Sequence, residues 1–217
     1  MERLLLIDAV VAVALSAFWY FCFAVYNRRR AIDALRWVET ACSRDGRIVQ
    51  ARWISPSRLQ AQVNFASHWF DKARVTVHLF PRPLPFKWLY CICRKQKETL
   101  TFEADLDYAP GGLLEVFRHR WVTGNQTSFD EDSREWSLVR PGPVVFTTAS
   151  QWTQEMPPVV RTFMTSRGHT LLSVRLRSQS PHLAVTIPLE SLSDQGSAVG
   201  FMKVLRDLAA GASAFRQ

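Results

Sequence analysis

"AVVAVALSAFWYFCFAVYNRRR", residues 9–30, carries no charged residue before Arg28. Together with "LLLI" at 4–7, this apolar stretch reaches the roughly 20 residues that a helix needs to cross a bilayer. A cleaved signal peptide would end its apolar core at small residues. Here the chain continues through "SAFWYFCF" at 16–23, which is apolar and aromatic. The stretch therefore predicts a retained single-pass membrane anchor within residues 1–30, with a cleaved signal as the competing interpretation.

The charges on either side of the apolar stretch predict its orientation. Arg28, Arg29 and Arg30 follow it, whereas only Arg3, next to Glu2, stands before it. Cytoplasmic flanks of membrane helices are enriched in Lys and Arg. The domain after the anchor is therefore predicted to be cytoplasmic, and an extracytoplasmic location is the alternative.

The cysteines favour the same compartment. Cys22 lies within the apolar stretch, which leaves Cys42, Cys91 and Cys93 for the rest of the chain. Two of these three are separated by a single residue, so they make a poor disulfide framework. A reducing compartment is the simpler interpretation.

A second helical pattern follows the anchor. In "RRRAIDALRWVETACSR", residues 28–44, apolar residues recur every three or four positions, at Ile32, Leu35, Val38 and Cys42. This spacing predicts a helical stalk over residues 31–45 that ends at Gly46.

After residue 46, apolar and polar residues alternate strictly, a pattern that is typical of strands. "RIVQARWI" at 47–54 and "RLQAQVNF" at 58–65 flank a Ser-Pro-Ser turn and predict a hairpin. "TLLSVRLRS" at 170–178 and "HLAVTIPL" at 182–189 predict another. "TLTFEADLDY" at 99–108 is the clearest single strand, and its predicted buried face comprises Leu100, Phe102, Ala104, Leu106 and Tyr108.

The strand predicted at 99–108 has an acidic face opposite its apolar face, and a turn is predicted after it. Glu103, Asp105 and Asp107 form that face. "APGG" is then expected to turn the chain into "LLEVFRHRW" at 113–121, which would place Arg118 and Arg120 across from the carboxylates.

Two helices are predicted near the C-terminus. One covers residues 151–167, and the other lies in "SAVGFMKVLRDLAAGASAF" at 197–215. The apolar stripe of the second helix is predicted to contain Val199, Met202, Leu205 and Leu208/Ala209.

These patterns define an α+β protein. An N-terminal transmembrane helix with a helical stalk precedes a mainly antiparallel β domain with two or three helices. The domain covers residues 46–217. A helix followed by a Ser-Pro hairpin occurs at 31–65 and again at 151–189, so the domain either contains two similar subdomains or simply repeats a common hairpin pattern.

The stretch "PFKWLYCICRKQK", residues 85–97, combines an apolar core with cations on both sides. Prolines at 81, 83 and 85 are expected to keep the preceding chain extended. Two interpretations stay open: a loop that contacts the membrane or a partner, and a plain buried strand. With the three arginines after the anchor, the candidate contact residues are Arg28, Arg29, Arg30, Lys87, Trp88, Leu89, Tyr90, Arg94, Lys95 and Lys97.

No catalytic, cofactor or metal site is predicted. Cys91 and Cys93 supply at most two of the four ligands that a structural zinc ion needs. The chain has no glycine-rich phosphate loop and no nucleophile-elbow motif. The carboxylates of residues 103–107 are expected to form a solvated face paired with arginines rather than a hydrolytic site.

The charge of the chain narrows the functional hypotheses. The 217 residues have a formal net charge of +8, which attracts polyanions. The leading hypothesis is a membrane-anchored, non-enzymatic accessory or assembly protein whose basic domain binds a lipid surface or a protein partner of a membrane complex. A membrane-tethered hydrolase using sheet carboxylates or histidines is the alternative. A nucleic-acid-binding module ranks third.

The predicted orientation can be measured with a reporter that is active only outside the cytoplasm. Fused to Gln217, this reporter is expected to give no signal, because three arginines follow the anchor. The same reporter fused before Met1 serves as the positive control. Strong activity at the C-terminus would reverse the topology.

Overall fold

The computed structural model of the protein describes residues 2–66, 69–110, 114–118, 136–139, 144–149, 172–192 and 195–214. The α+β fold class predicted from the sequence is confirmed. The elements are α1 (Glu2–Cys42), β1 (Gly46–Ser55), β2 (Arg58–Phe65), β3 (Asp71–His78), α2 (Pro85–Cys93), β4 (Thr99–Asp105), β5 (Leu114–Arg118), β6 (Trp136–Val139), β7 (Val144–Ala149), β8 (Ser173–Leu176), β9 (Leu183–Pro188), a 3-10 turn (Leu189–Ser191) and α3 (Gln195–Ala214).

The predicted anchor and stalk form one continuous helix, α1, of 41 residues. Its portion Leu6–Cys42 is long and apolar enough to cross a membrane, and no residue of its most apolar window is buried. Within the described part of the chain it is the one helix with this property. The helix ends at Cys42 rather than at the predicted Gly46, which instead begins β1.

The second half of α1 packs into the core of the domain. Ala31, Ala34, Val38 and Cys42 are buried among the apolar side chains of the sheet. Ile32, which the sequence placed on the buried face, is 46% exposed. At its start, the buried face of α1 therefore follows Ala31 and Ala34, each of which stands one residue before a predicted buried position. These two alanines are small and permit close packing of α1 in the core. The segment predicted as a stalk is part of the folded core.

The strands form one sheet in the order β1-β2-β3-β4-β9-β8-β5-β7-β6, and every described pair is antiparallel. Both predicted hairpins are present, since β1 pairs with β2 and β8 pairs with β9. One face of the sheet carries the apolar side chains that meet α1 and α3. The opposite face carries polar side chains, such as Thr101 and Thr186, whose hydroxyl oxygens are 3.3 Å apart.

Strand β4 lies in the middle of the apolar face. Leu100, Phe102, Ala104 and Leu106 are buried as predicted. Tyr108 was predicted to join them but is exposed, because the strand ends at Asp105 and the alternation ends with it.

The predicted pairing of β4 with the following strand is wrong. Strand β5 pairs with β7 and β8, and β4 pairs with β3 and β9. Arg118 therefore lies opposite Val144 of β7 rather than opposite the β4 carboxylates. Hairpin β8–β9 lies between β4 and β5 and supplies the partner strand for each of them.

Helix α3 covers the sheet beside α1. Ala198, Phe201, Met202, Leu205 and Leu208 are buried, whereas the predicted stripe residue Val199 is 53% exposed. The indole N–H of Trp37 on α1 donates a hydrogen bond to the hydroxyl of Ser197 at 3.2 Å. The guanidinium of Arg206 pairs with the carboxylate of Asp45, just after α1. Two polar contacts thus join α3 to the second half of α1 and to the chain just after it.

Several predictions fall outside the described residues. These are the helix at 151–167 and the predicted position of Arg120 across from the carboxylates. The possible second subdomain includes that helix, so the suggested duplication stays a prediction.

Phe102 is the central aromatic residue of the core and supports a stability prediction. Its ring centroid lies 6.2 Å from that of Phe65, 5.6 Å from that of Phe70 and 6.5 Å from that of Phe201. We expect Phe102→Ala to lower the free energy of unfolding by about 3–5 kcal/mol, since it opens a cavity. Phe86→Ala, at a residue that is 88% exposed, should cost less than about 0.5 kcal/mol. Denaturant unfolding in mild detergent measures both, and equal losses would contradict this core assignment.

Candidate membrane-contacting site

The stretch that the sequence singled out, residues 85–97, contains the short helix α2. This helix is neither the loop nor the buried strand expected for the stretch, while the expected contact with a membrane or a partner stays a prediction. Pro85 occupies the first turn of the helix, where its missing N–H costs no hydrogen bond and its fixed φ suits a helix start. The chain at the preceding prolines turns rather than staying extended as expected, and the Leu84 N–H donates to the Pro81 carbonyl oxygen at 2.9 Å.

The C-terminus of α2 is closed by a Schellman motif. The Lys95 N–H donates to the carbonyl oxygen of Ile92 at 2.9 Å, and the Gln96 N–H donates to that of Cys91 at 3.0 Å. Lys95 adopts φ 51°, a left-handed conformation that glycine normally takes at this position. A cation is therefore held at the end of α2 in a conformation that lysine does not favour.

Helix α2 rests against the apolar half of α1 through one aromatic cluster. The Trp88 ring centroid lies 6.1 Å from that of Trp19 and 5.8 Å from that of Phe23. The Trp19 indole N–H also donates to the backbone carbonyl oxygen of Arg82, just before α2, at 3.2 Å. These contacts place α2 beside the membrane-spanning candidate rather than beside the sheet.

The other side chains of α2 point outward, and no residue of the helix is buried. Phe86 is 88% exposed and Leu89 is 59% exposed, and Tyr90 and Ile92 are exposed as well. Successive positions turn by about 100° in a helix, so Phe86 lies nearly opposite Trp88 and Leu89 lies roughly at right angles to it. The helix thus has an aromatic contact with α1 and an uncovered apolar face.

The cations that were predicted to contact the membrane or a partner differ in their exposure and in their binding partners. Arg28, Arg29, Lys87 and Lys95 are exposed. The guanidinium of Arg94 lies 5.2 Å from the ring centroid of Tyr90, in a cation–π contact. The ammonium of Lys97 lies 3.0 Å from a carboxylate oxygen of Glu190.

Arg30, the last of the predicted cations, belongs to a buried polar cluster. Its Nε lies 2.7 Å from Oε2 of Glu98, whose side chain is only 5% exposed. Arg82 contributes Nη1 at 2.5 Å from Oε1 of the same carboxylate, and the backbone N–H of Phe80 donates to that oxygen at 3.0 Å. Both carboxylate oxygens of Glu98 therefore accept hydrogen bonds although the side chain is buried.

Asn27 completes this Glu98 cluster, which we define as Asn27, Arg30, Arg82 and Glu98. The Asn27 amide oxygen accepts from Arg82 Nη1 at 3.0 Å, and its amide nitrogen donates to the carbonyl oxygens of Phe80 and Pro56 at 3.0 and 3.3 Å. The cluster joins α1 to the end of the sheet. The roles of Asn27, Arg82 and Glu98 were not predicted from the sequence, where the one available signal was a polar residue, Asn27, directly after an apolar span.

The cysteines do not form a metal site within the described residues, where no group of three potential ligands is found. Cys91 is half-buried and Cys93 is exposed on α2. Cys42 lies in the core, where burial raises the pKa of its thiol to about 12 against the opposing effect of Arg206. Its thiol is therefore protonated at neutral pH and is a poor metal ligand or nucleophile.

The sheet carboxylates are involved in structural contacts. Asp105 accepts a hydrogen bond from the Ser180 hydroxyl at 2.7 Å. Nδ1 of His182 lies 3.1 Å from the backbone nitrogen of Leu106, so it is not directed at that hydroxyl. Glu115 is buried and pairs with Arg177 at 2.8 Å. The serine, histidine and aspartate are neighbours here without the relay that nucleophilic catalysis requires.

Comparison with known protein families finds no family model that matches this chain, and comparison with curated proteins finds no match.

Removing the charge of Glu98 should loosen the junction between α1 and the sheet. Glu98→Gln leaves two arginines beside a buried neutral group, and we expect a loss of about 3 kcal/mol in the free energy of unfolding. Glu190→Gln removes the same charge from the exposed pair with Lys97 and should cost less than about 1 kcal/mol. Urea unfolding in mild detergent compares the two, and a loss for Glu98→Gln no larger than that for Glu190→Gln would contradict the role of the cluster.

Proposed function

We propose that this protein is a single-pass membrane-anchored, non-enzymatic accessory or assembly protein. Its basic domain is held against the cytoplasmic lipid surface by α2, which lies in the membrane interface next to α1. The observation that supports this proposal best is the contact of Trp88 with Trp19 and Phe23, together with the uncovered apolar face of α2.

The depth of α2 follows from its contacts along α1. The domain meets α1 from Asn27 onward, whereas α2 touches Phe23 and Trp19. At 1.5 Å per residue, these positions lie about 6 and 12 Å from Asn27 toward the N-terminus. An amphipathic helix at an interface buries its apolar face about 5–10 Å into the boundary between head groups and acyl chains. The position of α2 agrees with this depth.

The chemistry of α2 also fits a lipid surface. Phe86 and Leu89 are suited to the acyl boundary, and Trp88 and Tyr90 are residue types enriched at membrane interfaces. Lys87 and Lys95 stand exposed at the helix and are available to anionic head groups. Each such cation contributes about 1 kcal/mol near an anionic surface. A nine-residue helix without a buried residue gains little stability in water, so a lipid surface supplies the environment in which α2 is stable.

The role as an accessory or assembly protein rests on this geometry. The lipid contact fixes the height and tilt of the domain above the membrane, because the Glu98 cluster couples α1 to the sheet. A domain fixed in this way is suited to meet a partner in the same membrane.

Quenching of a probe on Cys93 tests the lipid contact in the full chain. With Cys22 and Cys91 replaced by serine, a fluorophore on exposed Cys93 should be quenched by lipids that carry quenchers in their upper acyl chains. A fluorophore at Tyr108→Cys, exposed after the far end of β4, should not be quenched. Equal quenching at both positions, or none at Cys93, would contradict the proposal. Protection of Cys93 only when a second protein is present would point to a protein interface instead.

A pair of glycine substitutions tests the cationic part of this contact. Lys95 and Lys72 both have positive φ, at 51° and 45°, so glycine relieves the same backbone strain at each. Both Lys95→Gly and Lys72→Gly should keep or raise the thermal stability. Only Lys95→Gly should weaken the insertion of α2 into anionic membranes, by about fivefold. The measurement is the quenched fraction of the Cys93 probe as the content of anionic lipid rises, and equal insertion in the two variants would contradict a role for Lys95.

A further inference from the structure

A cavity of about 300 Å³ lies where α1 leaves the predicted membrane boundary. It opens between α1 and the 3-10 turn after β9. This volume is at the lower limit of small-molecule sites in proteins. The lining residues are Arg30, Asp33, Ala34, Leu189, Glu190 and Leu192. The wall therefore combines one cation, two carboxylates and an apolar floor.

Arg30 is held in place at the membrane side of this cavity. Its Nε is bound to buried Glu98, which fixes the plane of the guanidinium. Within the described residues, no other partner is found for the two remaining nitrogens of this guanidinium. A pre-oriented guanidinium with free N–H groups is suited to bind the oxygens of a phosphate.

Asp33 lies farther along α1 from its membrane-spanning half than Arg30, and Glu190 lies across the cavity from α1. Asp33 follows Arg30 by three residues on α1, about 4.5 Å along the helix axis. Glu190 stands in the 3-10 turn on the other wall, where Lys97 occupies only its Oε2. Carboxylates placed on two walls suit an ammonium group, which donates several hydrogen bonds in different directions. Ala34 and Leu189 between them are buried and apolar.

We propose that this cavity binds a phosphate joined by a short spacer to a primary ammonium, supplied by a phospholipid with an ethanolamine-type head group. The phosphate would meet Arg30, and the ammonium would meet Asp33 and Glu190. This inference rests on the proposed membrane placement of α1, because that placement sets Arg30 at the level of lipid phosphates and Asp33 outside it. Along α1, Arg30 and Asp33 follow the order of the phosphate and the ammonium in such a head group.

The same charges disfavour other lipid classes. An anionic lipid with a glycerol head group offers the phosphate but brings no ammonium to Asp33 and Glu190, whose remaining carboxylate oxygens then gain no donor from the lipid. A choline head group offers a cation but no N–H to donate to these carboxylates. The cavity should therefore select among lipids, in contrast to α2, which responds to the overall surface charge.

Lipid retention by the full chain in mild detergent tests this assignment. The protein is exposed to an equimolar mixture of phosphatidylethanolamine, phosphatidylcholine and phosphatidylglycerol, and native mass spectrometry counts the lipids that stay bound. We expect phosphatidylethanolamine to be retained several-fold more than either of the others. The double variant Asp33→Asn with Glu190→Gln should abolish this preference. The control is the double variant Glu39→Gln with Asp207→Asn, which removes the same charges from exposed positions on α1 and α3 and should keep the preference.

The outcomes separate this inference from the proposed function. Equal retention of the three lipids, or a preference that survives Asp33→Asn with Glu190→Gln, would overturn the head-group assignment. Quenching of the Cys93 probe should be unchanged in that double variant, since α2 does not line the cavity. An excess of free phosphoethanolamine should leave the bound lipid in place. Displacement at low concentration would assign the cavity to a soluble molecule and overturn the lipid source.

Discussion

The carboxylate of Glu98 determines how the long N-terminal helix meets the domain. It is buried, and it binds Arg30 of α1, Arg82 of the chain before α2, and the backbone of Phe80 at the end of β3. A buried charge of this kind is tolerated only when each lone pair finds a donor. The angle between α1 and the sheet is therefore set by a few short polar contacts in addition to the apolar core. Loss of the carboxylate would leave two arginines at the junction without their common partner.

The position of α2 is a consequence of this junction. Arg82 is fixed by Glu98 and Asn27, and its backbone carbonyl accepts the hydrogen bond from Trp19. The three prolines around it limit the directions that the chain can take. Helix α2 therefore begins beside the apolar half of α1 and presents its uncovered apolar face along the proposed membrane plane. The cavity beside Arg30 lies just outside that plane, so the same carboxylate that orients the domain also orients the proposed phosphate-binding group.

The strict alternation of apolar and polar residues made the strands predictable. Both Ser-Pro hairpins and the buried face of β4 were predicted from this alternation. The partner of β5 was not predictable in this way, because its neighbours come from residues 144–149 and 173–176 rather than from the preceding strand. Helix α2 was missed because its prolines resemble an extended segment until Pro85 is placed at the helix start. The Glu98 cluster was missed because its partners are 16 and 68 positions away from Glu98. Such long-range pairing leaves no local pattern in a sequence.

Amide hydrogen exchange measures whether α2 lies in the membrane interface. A nine-residue helix with no buried residue should exchange its amide hydrogens rapidly when water surrounds it. In nanodiscs that contain anionic lipid, we expect strong protection of residues 88–93, approaching that of buried β4. Exchange of these residues as fast as in an unfolded chain, while β4 stays protected in the same sample, would show that α2 lies in water instead.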